Sequence, residues 1–333
     1  MSNILILGAG TWGVAIAELL NKNGHKVTCW SRNKDLIKEL SINHSHPKLK
    51  DVTLSVDVNY TTEFEKSFIG KDVIIYAVPS TGFREVVHKS MNFVNDTQYF
   101  VSLTKGMEDK TLYTMSEIIF EELKIAGINS DKVVVLSGPT HAEEVGKGLP
   151  SMIVSASANE IHSKYIQDVF MNENFRVYTN VDVKGVEICA AFKNVIAIAS
   201  GILTGLGYGD NMKAAVITRG LAEMIRVGDA LGCKKETFYG LAGVGDMIVT
   251  ATSTNSRNFN FGKYLGLGDK TDEALKKIGM VVEGINFLPK AIQIIDKYNL
   301  DLPITNGVNE IVYNNMDAKY ITSLLMKRSK KAE

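Results

Sequence analysis

The chain has 333 residues, 45% of them hydrophobic and 22% charged, a profile that excludes disorder as the main state and suggests about two domains. Its 37 Lys and Arg cancel its 37 Asp and Glu, so no global field draws it to nucleic acid or an anionic membrane, although a few local cations can still hold a small anion. Cys29, Cys189 and Cys233 are too few and too scattered for a disulfide framework or a CxxC zinc site, and read as reduced core thiols.

In chain order, Met1-Ser2-Asn3 runs straight into Ile4-Leu5-Ile6-Leu7 with no basic segment or cleavage site. A cytoplasmic location without a signal peptide is therefore expected. No window is expected to reach the roughly 18 to 20 apolar residues of a membrane span, because the richest stretch, Ala190 to Leu206, is interrupted by Lys193, Asn194 and glycines. Strand-like runs follow one another at Ile4–Leu7, Val27–Trp30, Val73–Val78, Tyr99–Leu103, Val133–Ser137, Met152–Ser155 and Phe175–Thr179. Amphipathic segments lie between them at Val14–Asn23, Phe83–Asn92 and Thr111–Ala126. This alternation predicts an α/β domain, a doubly wound, mostly parallel Rossmann-like sheet over residues 1–182. From Val183 onward the spacing is helical, with long helices expected at Val183–Leu203 and Asn211–Leu231 around the turn Gly205–Gly209. Residues 183–333 are thus expected to form an all-α domain, and the basic ending Lys327-Arg328-Ser329-Lys330-Lys331 a solvated helix end.

Directly after the first run stands Gly8-Ala9-Gly10-Thr11-Trp12-Gly13, a G-x-G-x-x-G opening a helix. One glycine makes the turn, the next admits a pyrophosphate, and the third allows close packing of helix on strand, so a dinucleotide site is expected here. The second strand ends Trp30-Ser31-Arg32-Asn33, offering a hydroxyl and a planar cation where NAD-selective sites place a carboxylate. NADP(H) is favoured, and Asp35 nearby keeps NAD(H) open.

In the second half, Lys193 and Asn194 sit inside the apolar run Ala191–Ala197. Burial of an ammonium lowers its pKa toward the range of proton exchange, which makes Lys193 the general acid/base candidate. Asp246, in Gly243-Val244-Gly245-Asp246, either orients Lys193 or caps a helix, and alone the spacing favours the cap. Ser256, Arg257 and Asn258 supply a guanidinium fork between a hydroxyl and an amide, the set a phosphate or carboxylate asks for. His44, His46 and His141 lack metal-ligand spacing, so no metal is expected.

Taken together, these segments resemble the bacterial-type NAD(P)-dependent glycerol-3-phosphate dehydrogenases. The likeness rests on Gly8–Gly13, Thr104-Lys105-Gly106, Ser137-Gly138-Pro139-Thr140, Phe192–Ala197, Ile217-Thr218-Arg219-Gly220, Gly243–Asp246, Asn255–Asn258 and Val281-Val282-Glu283-Gly284 in that order. It implies reversible hydride transfer between dihydroxyacetone phosphate and sn-glycerol 3-phosphate, feeding phospholipid synthesis, with Lys193 exchanging the proton. It further implies Lys105, Gly138, Thr140, Lys193, Asp246, Ser256, Arg257 and Asn258 at the substrate, and Gly8, Gly10, Thr11, Trp12, Gly13, Arg32, Lys105, Ala142, Arg257, Val281 and Glu283 around the cofactor. A homodimer is implied as well. Thr11 stands where relatives often have Ser, and His46-Pro47-Lys48-Leu49-Lys50 where many have Tyr-Leu-Pro. The competing readings are a lysine-using dehydrogenase of the same plan acting on a sugar acid such as 6-phosphogluconate, and a non-catalytic sensor of the NADPH/NADP+ ratio. Neither accounts for the whole ordered set, and a sensor has no use for a proton-transfer lysine.

Overall fold

The computed structural model describes residues 1–49 and 52–330. Lys50 of the His46–Lys50 segment and Lys331 of the basic ending lie outside the described residues. The chain forms two compact units: Met1–Lys105 with Tyr113–Glu187, and Gly106–Leu112 with Ile188 onward.

The first unit runs β1 (Asn3–Leu7), α1 (Thr11–Lys22), β2 (Lys26–Trp30), α2 (Lys34–Ile42), β3 (Asn59–Thr61), β4 (Val73–Tyr76), α3 (Phe83–Ser90), β5 (Tyr99–Ser102), α4 (Met115–Ile125), β6 (Val133–Ser137), α5 (Ala142–Gly146), β7 (Ser151–Ala156), α6 (Glu160–Phe170) and β8 (Phe175–Asn180). These strands make one sheet in the order β3-β2-β1-β4-β5-β6-β7-β8. All neighbours pair in parallel except β6 and β7. The α/β, Rossmann-like expectation holds, and a single antiparallel pairing explains its "mostly". Strand β1 shows why the run reads as continuously apolar: Ile4 and Ile6 join one core with α1, while Leu5 and Leu7 join the opposite core with α3 and α4. Both faces of a parallel sheet are covered, so alternation disappears from the sequence.

No element is expected from the sequence at α2, β3, α5 or α6. Two of these carry a local signal: Asn33 and Asn159 cap α2 and α6 by accepting from Leu36 N and Ile161 N, at 3.0 Å each. Helix α4 starts later than the periodicity suggested, because Thr114 and Glu117 form a capping box ahead of Met115.

Beyond β8 follow α7 (Val183–Gly205), α8 (Asp210–Ala230), α9 (Lys235–Tyr239), α10 (Asp246–Thr252), α11 (Arg257–Gly266), α12 (Thr271–Ile278), α13 (Glu283–Tyr298), α14 (Pro303–Tyr313) and α15 (Ala318–Met326). The helical expectation for this part of the chain holds. Among the described residues of the second unit, one core joins Phe192, Ile196 and Ile202 of α7 to α8, α11, α13 and α14, and takes in Met107 from the Gly106–Leu112 excursion. That excursion is also anchored by an ion pair between Asp109 and the buried Lys290 of α13.

Helix α7 corrects one expectation. Val183–Gly205 is long and apolar enough to cross a membrane, because the average over a helix tolerates the Lys193 and Asn194 that break an uninterrupted run. Its most apolar window is wholly buried in the protein, the environment of a core helix. Small residues set how closely it packs. A Cβ at Gly201 would lie 2.0 Å from Phe259 O, and one at Gly205 2.2 Å from Lys263 O. In return, a Cβ at Gly262 or Gly266 of α11 would lie 2.0 Å from Ile198 O or 2.2 Å from Ile202 O. Four glycines thus let the backbones of α7 and α11 touch, and every residue on α11 takes its place from that contact.

Candidate active site

In the first unit the glycine motif divides its work as the chemistry requires. Gly8 has φ of 126° and a Cβ there would lie 2.4 Å from Ala77 O. A Cβ on Gly13 would lie 1.9 Å from Gly8 O. Both glycines are therefore demanded by the fold itself. Gly10 differs: its φ of −69° suits any residue and a Cβ there meets nothing within 4 Å. Since neither backbone nor packing asks for that glycine, the space beside it fits a group brought from outside. Gly10 is also the N-cap of α1, with no side-chain cap and no acidic residue in the first turn, so the helix end presents N–H groups suited to a pyrophosphate. The structure fits a dinucleotide here. Thr11 and Trp12 begin α1, and Trp12 packs on the core beneath.

At the end of β2, Ser31 Oγ accepts from Asn33 N at 3.2 Å, and Arg32 is exposed. Arg32 is close enough to contribute to holding the Glu85 carboxyl below its usual range, an effect due mainly to the hydrogen bond and charge of Lys89. Asp35 lies in the first turn of α2. Further along, Lys105 Nζ and Thr140 Oγ1 both donate to Gly138 O, at 3.4 and 3.2 Å. Gly138 lies against the β7 backbone, where a Cβ would be 3.0 Å from Ile153 Cα. Three of the expected substrate contacts are thus drawn to one carbonyl. Ala142 opens α5 and is buried. His46, also buried, accepts from Lys48 N at 3.1 Å, and burial lowers its pKa.

In the helical unit Lys193 is only 4% exposed, and its Nζ donates to Asp246 Oδ1 and, at 2.8 Å, to Thr250 Oγ1. Asp246, also buried, is the first residue of α10. This corrects the helix-cap reading: the N-cap position is Gly245, and the Asp246 carboxylate is committed to the lysine. The wide turn Leu241–Gly245 that leads into α10 needs a glycine at its centre, since a Cβ on Gly243 would lie 2.1 Å from Phe238 O. It delivers the carboxylate into the helical core, where an unpaired ammonium would be costly and a paired one is held in place. Thr250, one turn beyond Asp246, donates to Asp246 O at 2.6 Å and so offers its lone pairs to Lys193. The sequence reading missed it, although its i, i+4 spacing from Asp246 was the available signal.

The segment expected to hold an anion, Ser256-Arg257-Asn258, leads into α11. Ser256 caps the helix by accepting from Phe259 N at 3.2 Å, which leaves its hydroxyl proton to donate. Arg257 Nη1 donates to Val281 O at 2.8 Å, so two residues assigned to the cofactor meet. Asn258 is more structural than expected: Oδ1 accepts from Gly284 N at 2.9 Å and Nδ2 donates to Asn194 Oδ1 at 3.0 Å, joining α11, α13 and α7. One Nδ2 proton remains for a ligand. Glu283 opens α13.

The N-terminal model of the NAD-dependent glycerol-3-phosphate dehydrogenases matches residues 3–163, and the C-terminal model of the same family matches residues 182–323. A Lactobacillus delbrueckii subsp. bulgaricus protein named glycerol-3-phosphate dehydrogenase (NAD(P)+) 2 is 48% identical over 100% of this chain and 99% of its own. The Fusobacterium nucleatum glycerol-3-phosphate dehydrogenase (NAD(P)+) is 46% identical over the same shares. The crystal structure of glycerol-3-phosphate dehydrogenase from Coxiella burnetii superimposes with a TM-score of 0.93 at 35% identity, covering 98% of this chain and 99% of that one. With nearly the whole chain accounted for in motif order, fold and identity, it belongs to the NAD-dependent glycerol-3-phosphate dehydrogenase family.

Proposed function

We propose that this protein catalyses the reversible NAD(P)H-dependent reduction of dihydroxyacetone phosphate to sn-glycerol 3-phosphate, supplying phospholipid synthesis in the cytoplasm. The observation that carries the reading is the buried Lys193 ammonium held by Asp246 and Thr250 in a chain of this family. The bound nicotinamide supplies or accepts the hydride. As the carbonyl carbon is reduced, negative charge grows on its oxygen, where Lys193 provides a positive charge and then a proton. In the oxidation direction the same nitrogen accepts the proton.

Asp246 fixes the direction of that nitrogen and takes part in substrate binding. Ser256, Arg257 and Asn258 bind the phosphate end, whose binding energy is spent on orienting the reacting carbon. Lys105, Gly138 and Thr140 complete the substrate contacts. Gly8, Gly10, Thr11, Trp12, Gly13, Arg32, Lys105, Ala142, Arg257, Val281 and Glu283 serve the cofactor, with Arg32 favouring the 2′-phosphate of NADP(H). The working form is a homodimer.

The test is loss of NADPH absorbance, and in parallel NADH absorbance, when purified protein meets dihydroxyacetone phosphate or unphosphorylated dihydroxyacetone. Rapid oxidation with the phosphorylated ketone alone is expected, faster with NADPH. Equal rates with both ketones would remove the phosphate grip from the reading, and no rate with either, in protein that binds NADPH, would overturn the reaction.

A further inference from the structure

We infer, on the reading of Gly8–Gly13 as a dinucleotide site, that His46 is a positioning residue for that site: its imidazole holds the Ala9 carbonyl and so fixes the peptide that leads into α1 and its phosphate-facing N–H groups. His46 lies in the connection between α2 and β3 and is 6% exposed. Both of its ring nitrogens are used. Nδ1 accepts from Lys48 N at 3.1 Å, and a backbone N–H can only donate, so the proton of the neutral ring sits on Nε2. The ring is also hydrogen-bonded to the backbone of Ala9, and Nε2–H is the donor to that carbonyl. Burial favours the neutral form, in which the two bonds coexist.

In a trans peptide the C=O and N–H point in opposite directions, so a donor fixed on Ala9 O sets the direction of the Gly10 N–H on the far side of the plane. Gly10 is the N-cap of α1, with no side-chain cap and nothing within 4 Å of its Cβ position. The N–H groups of Thr11 and Trp12, which have no partner within the helix, follow directly from that peptide. On the strand side the turn is held by Gly8 N, which donates to Trp30 O at 2.9 Å. His46 holds it at the next carbonyl. The imidazole can act as a fixed strut because the chain around it is itself fastened. Leu49 N donates to His46 O at 3.0 Å. A Cβ on Gly146 of α5 would lie 3.0 Å from the Val52 side chain and 3.6 Å from that of Leu49, both of them buried. Farther along, the buried carboxylate of Glu18 on α1 accepts from Ser55 N at 2.9 Å and from Tyr60 OH at 3.4 Å.

Two substitutions separate the two ring nitrogens. His46→Gln places an amide N–H near the position of Nε2 and keeps a donor for Ala9 O. His46→Asn places an amide oxygen near the position of Nδ1, keeping the acceptor for Lys48 N and losing the donor to Ala9. NADPH binding to the full chain is read from the fluorescence of the nucleotide, without turnover, beside the melting temperature of each variant. His46→Asn is expected to raise the dissociation constant of NADPH about five- to tenfold, the worth of one hydrogen bond, and His46→Gln to restore most of that loss. In turnover the Asn variant should raise the KM for NADPH and leave the KM for dihydroxyacetone phosphate unchanged. Equal NADPH binding by the parent and His46→Asn would overturn the proposal. So would equal weakening by both variants, whatever their melting temperatures, which would make His46 a support of its own loop alone. A parent protein that binds no NADPH would overturn the dinucleotide reading itself, and the role of His46 with it.

Discussion

Lys193 combines three conditions that seldom coincide: deep burial, a carboxylate at contact and a hydroxyl that accepts from it. Replacing it with Ala removes the proposed proton donor and leaves the Asp246 carboxylate buried without its cation. General acid/base groups typically contribute about 10²- to 10⁴-fold, so kcat with dihydroxyacetone phosphate is expected to fall at least that far. NADPH binding, followed by its fluorescence, is expected to persist. Loss of both together would make Lys193 a structural lysine. The glycines permit a sharper contrast. Gly10→Val enters open space at an ordinary φ, so it should weaken NADPH binding at an unchanged melting temperature. Gly13→Ala drives a Cβ to within 1.9 Å of Gly8 O and should lower the melting temperature itself. If Gly10→Val binds NADPH normally, the space beside Gly10 is not where the pyrophosphate lies.

The way α7 meets α11 explains which parts of the site could be read in advance. Lysine 193 stood out because a charge in an apolar run is conspicuous, and the glycine motif because its spacing encodes a local turn. Thr250 and the structural use of Asn258 did not, since each depends on which helix faces which: Thr250 of α10 meets Lys193 of α7, and Asn258 meets Asn194 across a crossing set by Gly201 and Gly205 on α7 as much as by Gly262 and Gly266 on α11. The same holds for β7: its apolar run announced a strand, but its antiparallel pairing with β6 is a property of two strands together. Likewise, nothing in Gly106–Leu112 signals that it packs with the second unit, because its anchors are Lys290 and the core around Met107. The glycine crossing can be tested directly. Gly262→Ala would place a methyl 2.0 Å from Ile198 O, against backbone that cannot swing aside. Overpacking of this kind costs about 1–3 kcal/mol, and urea denaturation should show a loss in that range with kcat reduced as well, because Ser256, Arg257 and Asn258 ride on α11. Unchanged stability would mean the crossing is looser than the geometry indicates.

At the scale of the whole molecule, equal numbers of cations and anions leave little net self-repulsion near neutrality. The pH dependence of stability should therefore come from a few buried groups. Burial raises the carboxyls of Glu18, Glu187 and Glu223, and takes Glu187 to about 7 despite its hydrogen bonds from Ser116 and Thr114. Burial lowers the imidazoles of His25 and His46. The signs oppose each other. A carboxyl whose folded pKa lies above its unfolded value of 4.5 binds more protons in the native state over that interval, so its contribution is complete below pH 4.5 and is lost as pH rises through the folded value. A histidine with a lowered pKa does the reverse, favouring the native state as pH rises through the unfolded value of 6.5. The Glu187 share can be isolated by substitution. Ser116 N and Oγ donate to its two carboxylate oxygens at 2.9 and 2.5 Å, and Glu187→Gln keeps the size of the side chain while removing the titration. Between pH 5 and pH 8 the melting temperature of the parent is expected to fall relative to that of Glu187→Gln, with most of the divergence on approaching pH 7. Parallel curves across that range would show that Glu187 titrates alike in the folded and unfolded chains, and that its burial is compensated by the donors around it.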